Sequence, residues 1–269
     1  MKKYPIFIFY LALITLIACN GNKNGNTATH VEEAAEEESM TTAIFEINDT
    51  TRLVEHSQDS PTLIINISLP IIEANNPKAT DNINQAIAYT LFESDDNSLS
   101  AACMQYVNSM KEIYTGQLPD YLNLGETNTP SPYFNNYCFI NGEAKRGYKG
   151  ALNYIMYIEE YSGGAHPYSY NTVLNFNPST GEEILLDDIF KPGYEEELVK
   201  IIKETLEAEA TDEESKAKIE NTGDLYVSGN YILDKEQITF IYNKYDISYY
   251  AAGDIIVNVS YDKLKNLLK

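Results

Sequence analysis

Thr62-Leu-Ile-Ile-Asn-Ile-Ser-Leu69 is the stretch on which the fold turns. Leu63, Ile65, Ile67 and Leu69 alternate with more polar neighbours, the two-residue period of a strand with one buried face, and Pro70 closes the run. Beyond it, Thr80 can cap a helix on which Ile83, Ala86, Ile87, Thr90 and Leu91 recur at helical spacing. A second helix, residues 99–115, follows the Asp95-Asp96-Asn97 break. Ahead of all this, Ala43 to Ile47 reads as a strand. Behind it come a turn-rich loop, Gly125 to Pro132, and two strands, Tyr133 to Asn141 and Ala151 to Tyr161. Asn141-Gly142 suggests a hairpin-like return between them.

The remaining chain repeats this economy. Ser169 to Asn177 is a strand, and Asn177-Pro-Ser-Thr-Gly181 is a turn. After the Pro192-Gly193 break, a helix from Tyr194 to about Ala210 carries Leu198, Ile201, Ile202 and Leu206 on one face and mostly glutamates on the other. Three short strands and a final helix from Tyr261 complete the pattern. Strands and helices come in clusters rather than in strict alternation. That arrangement predicts an α+β fold, with largely antiparallel sheets packed with a few helices, in two sequential subdomains at 41–160 and 161–269.

The first forty residues are read as an address. Lys2 and Lys3 precede an apolar run from Ile6 to Ile17, which has the length of a signal-peptide core and falls short of the roughly 20 apolar residues of a membrane-spanning helix. Leu16-Ile17-Ala18-Cys19 ends it like a bacterial lipobox. Residues 1–18 are therefore expected to be a lipoprotein signal peptide, with Cys19 as the lipidation site. Residues 19–40, rich in Gly and Asn and then in Glu, are expected to be a flexible acidic tether. The expected location is the cell envelope, anchored by lipid and facing outside the cytoplasm, on the periplasmic or the surface side.

Composition excludes one class of partner. With 19 basic and 40 acidic side chains, the 269-residue chain carries a net charge of −21, a poor match for a phosphate backbone, so no nucleic-acid partner is expected. Removing the two leader lysines would move that charge to −23. The 3 cysteines leave one intramolecular pairing once Cys19 is acylated. Cys103 shares a helical stripe with Val107, Met110 and Tyr114, while Cys138 lies in a strand-like run. A Cys103–Cys138 disulfide is expected, with two buried reduced thiols as the alternative.

No catalytic motif stands out. The chain lacks Cys-x-x-Cys, a zinc-type HExxH, a Gly-rich phosphate loop followed by Lys, and a Gly-x-Ser-x-Gly elbow, so no metal, cofactor or catalytic residue is assigned. One segment is unusual: Tyr161-Ser-Gly-Gly-Ala-His-Pro167, a constrained turn among many tyrosines. Tyr161, Gly163, Gly164, His166 and Tyr168 are the candidate ligand-binding residues. The competing reading is a structural turn whose imidazole satisfies backbone groups.

That segment, with Pro178-Ser-Thr-Gly181 and Ile184 to Phe190, resembles the domain-of-unknown-function 3298 family. The tail agrees, in Phe240 to Gly253 and then Val257 to Leu264, with Lys244 where Pro is frequent and Asp246 where Glu is frequent. Residues 62–92, with Ile67-Ser-Leu-Pro70, resemble the companion N-terminal domain found ahead of it. The resemblance implies an extracytoplasmic α+β module like the lysozyme-binding sensor part of RsiV-type anti-sigma factors, or the non-catalytic region of PdaC-type peptidoglycan deacetylases. It carries over no catalytic residue. The expectation is therefore a lipid-anchored envelope binding or sensing module, with a cationic protein such as lysozyme or a wall glycan as ligand. The alternatives are a peptidoglycan- or glycan-modifying enzyme that uses His166, and an envelope scaffold.

Overall fold

In the computed structural model, which describes residues 41–124, 132–220 and 225–269, the alternation of the 62–69 run sets the first layer. Strands β1 (Thr41–Arg52) and β2 (Thr62–Glu73) pair antiparallel over their full length. Leu63, Ile65, Ile67 and Leu69 all point into the core, while Ile64 and Asn66 point out. The signal peptide, Cys19, the tether and most of the 125–132 loop lie outside the described residues.

Helix α1 (Pro77–Phe92) starts earlier than the Thr80 reading allows. Asn76 is its cap, accepting from the Lys78 N–H at 3.0 Å, and Pro77 occupies the first turn, where its missing N–H costs nothing. Thr80 instead ties the helix to the end of β2, its hydroxyl accepting from the Ala74 N–H at 3.0 Å. Helix α2 (Leu99–Thr115) is capped by Ser98, which accepts from the Ala101 N–H. Ile83 and Ile87 of α1, with Cys103, Val107 and Tyr114 of α2, bury against one face of the sheet. A short α3 (Leu118–Asn123) follows.

Three more strands complete the sheet, β3 (Asn136–Arg146), β4 (Leu152–Tyr161) and β5 (Tyr168–Phe176), in spatial order β1 to β5. The β2–β3 pair is parallel, because the helices supply the crossover, and the others are antiparallel. Asn141-Gly142 is no turn. Both residues are paired within β3, opposite Tyr157 and Met156, and the chain reverses only at residues 147–151. Gly142 is needed for packing, since a Cβ there would stand 2.8 Å from the Pro70 ring and 3.2 Å from the Tyr154 hydroxyl. The β4–β5 pair spans the boundary drawn between residues 160 and 161.

The smaller layer consists of α4 (Leu186–Ile189), α5 (Glu195–Glu209), α6 (Glu213–Glu220), and a three-stranded antiparallel sheet of β6 (Tyr231–Leu233), β7 (Gln237–Tyr242) and β8 (Ile255–Ser260), closed by α7 (Tyr261–Leu264). Leu198, Ile202 and Leu206 of α5 pack on Phe240, Val257 and Val259. The fold is thus α+β, with a five-stranded and a three-stranded sheet. Strand β6 is seated on the larger sheet by buried amides. Asn153 donates to the Leu233 carbonyl and accepts from its N–H, both at 3.0 Å, and Asn175 donates to the Tyr231 carbonyl at 2.8 Å. Ile155 and Val173 meet Ile232 and Ile241 beside them.

Candidate functional site

The helices cover one face of the five-stranded sheet, and the small sheet covers only part of the other, over Asn153, Ile155, Val173 and Asn175. Over β1, β2, β3 and the last turns of β4, that second face is open among the described residues. Ile44 (56% exposed) and Ile64 (37%) point from it into solvent, beside exposed Asn48, Asn66 and Asn141. The strand period puts odd-numbered residues of β3 and β4 here, so Tyr137, Phe139, Tyr157, Glu159 and Tyr161 share the surface, each half-buried.

Register orders these side chains into rows across the strands. Thr50, Ile64, Tyr137 and Tyr161 form one row, and Asn48, Asn66, Phe139 and Glu159 the next. Phe139 and Tyr137 stack at 4.7 Å and Tyr137 and Tyr161 at 5.9 Å, a short aromatic ladder. Glu159 anchors the polar part: its Oε1 accepts from the Tyr137 hydroxyl at 2.9 Å and its Oε2 from the Tyr157 hydroxyl at 2.8 Å. Burial, helped by the Glu159 charge, pushes the Tyr137 hydroxyl up to about 12 and raises that of Tyr157. Both phenols therefore remain donors at neutral pH.

The 161–167 turn borders this surface. Gly163 and Gly164 hold φ of +97° and +114°, the region that favours glycine, and a Cβ on Gly163 would stand 2.8 Å from the Tyr133 ring. Tyr161 closes the turn by donating to the Gly164 carbonyl at 2.9 Å. His166 is exposed. Its Nδ1 lies 3.1 Å from the Pro167 carbonyl and its ring stacks on Tyr250 at 4.1 Å, so a backbone oxygen, not a carboxylate, meets the imidazole. Lys244 stands over the same Tyr250 ring and bonds the Ser169 hydroxyl. Tyr168 faces the helix side, opposite Glu160, and packs with Tyr170. The predicted residues are thus divided: Tyr161 joins the open face, His166 joins the 244–250 loop, and Tyr168 lies on the other side of the sheet.

The expected disulfide is absent. Cys103 and Cys138 are both free and buried. The Cys138 thiol is directed to Glu160, whose Oε1 it meets at 3.5 Å, in a cluster where the Tyr106 hydroxyl donates to the same oxygen at 2.6 Å. Burial pushes the thiols up to about 11 and about 12. Among the described residues, no group of three or more His, Cys, Asp or Glu is placed to hold a metal ion, and no helix is long and apolar enough to cross a membrane. A groove of about 560 Å³ beside α5 is lined by Leu186, Tyr194, Glu195, Glu196, Val199, Leu225, Tyr226 and Val227.

Sequence reading missed Tyr137, Phe139, Glu159 and the exposed asparagines. Their signal was present as the odd-numbered register of β3 and β4, but it becomes a surface only when the sheet's second face is seen to be open.

An α+β protein with a half-covered sheet is the class these features define. Residues 187–262 match the family model described as "Protein of unknown function (DUF3298)", so this stretch is a domain of that family. The Tyr161–Pro167 turn precedes the matched stretch. A crystal structure of a DUF3298 family member from Bacteroides fragilis NCTC 9343 is similar at 26% identity, over 87% of this chain and 95% of that one, with a TM-score of 0.74. Another, from Pseudomonas aeruginosa PAO1, shares the fold at 15% identity, over 87% and 96% of the two chains, with a TM-score of 0.58. No curated protein matches the chain.

Proposed function

We propose that this protein is a lipid-anchored binding or sensing module of the cell envelope, and that the open sheet face is its capture surface. The observation that carries this reading is the Tyr137–Phe139–Tyr161 ladder beside Glu159 and three exposed asparagines, set on rigid strands rather than on loops. The lipobox-like Cys19 and the acidic spacer after it support anchoring outside the cytoplasm, with residues 41–160 as the companion domain of RsiV- and PdaC-type modules. Capture fits the geometry better than catalysis, because His166 is oriented by a backbone carbonyl and an aromatic ring. Sedimentation of the purified chain with isolated wall sacculi, and its binding to lysozyme, test the reading. The Tyr137→Ala/Phe139→Ala variant is expected to lose whichever interaction the parent shows, with its circular dichroism unchanged. Equal binding by parent and variant would overturn the assignment of this face.

A further inference from the structure

We infer that the ligand of the open face is an uncharged, polyhydroxylated glycan chain lying across the strands; this rests on the reading of that face as the capture surface. Three facts converge on this chemistry.

The first is size. The register gives three rows across β1 to β4: Thr50 to Tyr161, Asn48 to Glu159, and Glu46-Ser68-Asn141-Tyr157. Three inter-strand spacings span about 14 Å, and two steps of two residues along the strands span about 13 Å. The three rows thus mark a footprint of about 14 by 13 Å between Cα positions, within a face that runs on to Ile44. That footprint matches a few sugar rings in succession.

The second is hydrogen-bonding capacity. Asn48, Asn66 and Asn141 are exposed amides, each with two donors and an acceptor oxygen. Asn48 and Asn66 are directly paired across β1 and β2, so their amides form a two-strand row leading to Phe139 and Glu159. Both Glu159 oxygens already accept one phenol hydrogen, at 2.9 and 2.8 Å, and each keeps a further acceptor position. Sugar hydroxyls donate and accept in equal measure and can use both kinds of group. Apolar protein anchors cannot.

The third is charge and rigidity. The charged side chains in the three rows are Glu46 and Glu159; Arg52, beyond Thr50, and Lys244, on Ser169 opposite Glu159, stand only at the margins, so the interior of the patch favours an uncharged chain over a phosphorylated or sulfated one. The aromatic ladder is locked by mutual stacking, and by the Tyr137 and Tyr161 hydroxyl bonds, before any ligand arrives. Little side-chain entropy is then lost on binding, which suits a ligand that contributes small contacts per ring.

The test is titration of the full chain with an N-acetylglucosamine hexamer, a neutral glucan, heparin and lysozyme. The readout is tyrosine emission for the three saccharides, since the chain has 0 Trp and 22 Tyr, and co-sedimentation for lysozyme, whose own tryptophans mask that emission. A neutral oligosaccharide is expected to bind, with Phe139→Ala, Glu159→Gln and Asn66→Ala each weakening it about tenfold. Asn66 is exposed and its variant is expected to fold normally, which keeps the test valid if Phe139→Ala does not. Lysozyme binding that these variants abolish, with no oligosaccharide binding, would overturn the glycan inference and leave the capture face standing. Heparin binding equal to that of the neutral sugars would likewise overturn it. Oligosaccharide binding indifferent to all three variants would overturn both.

Discussion

Replacing Asn153 with alanine should loosen the small sheet from the large one. Asn153 is fully buried on β4, and its amide both donates to and accepts from the Leu233 backbone of β6 at 3.0 Å. Asn153→Ala leaves a buried N–H and a buried C=O without partners, at about 1–3 kcal/mol each, so the expected loss is about 2–6 kcal/mol. Gly147 offers an independent route to the same contact. A Cβ there would stand 1.8 Å from the Leu233 carbonyl oxygen and 2.3 Å from the Asn153 amide nitrogen, so Gly147→Ala must push β6 away. Exposed Asn48→Ala serves as control and should stay within about 0.5 kcal/mol of the parent. Urea unfolding followed by far-ultraviolet circular dichroism reads all three, and the first two should lower the midpoint by about 1 M or more. If Asn153→Ala unfolds at the parent's midpoint, the buried amide is not what seats β6.

Other outcomes follow from the thiols and the leader. In a Cys19→Ala chain, Cys103 and Cys138 should resist a thiol reagent under native conditions and both react on unfolding; no reactive thiol after unfolding would indicate a bridge. Because burial holds these thiols at about 11 and about 12, the folded state keeps protons that an unfolded chain releases from about pH 9. Their contribution to stability should be complete below that pH and be lost as pH rises towards 11–12, as alkaline unfolding curves of the Cys103→Ala and Cys138→Ala variants against the parent would show. In a bacterial host, metabolic labelling with a fatty acid should tag the parent and spare Cys19→Ala; equal labelling would refute the anchor.

Periodic elements were legible in the sequence because burial of one face leaves a pattern. The 62–69 alternation, the 99–115 helix and the Leu198–Ile202–Leu206 stripe fall where the pattern puts them, but Pro70 does not close its strand: β2 runs on to Glu73, with Pro70 opposite Ile44. The 177–181 turn and the Pro192-Gly193 break hold as well, whereas other single residues mislead. Asn141-Gly142 looks like a turn, yet Gly142 is small because Pro70 and Tyr154 cross it. Nothing in the sequence separates Asn153 and Asn175 from solvent-facing asparagines, yet both are buried because their amides bond the edge of β6 that β7 leaves free. The candidate site was half visible. Tyr161 and the Gly-Gly turn announce themselves, whereas Tyr137 and Phe139 read as core residues until the small sheet is seen to cover only β4 and β5.

The central claim is that ligand meets the open face of the large sheet. Amide hydrogen exchange of the chain, with and without an N-acetylglucosamine hexamer, tests it directly. The account predicts added protection confined to β1 through β4 around Asn48, Asn66, Phe139 and Glu159, with α5 unchanged; protection on α5 and its groove, with the sheet unaffected, would contradict it.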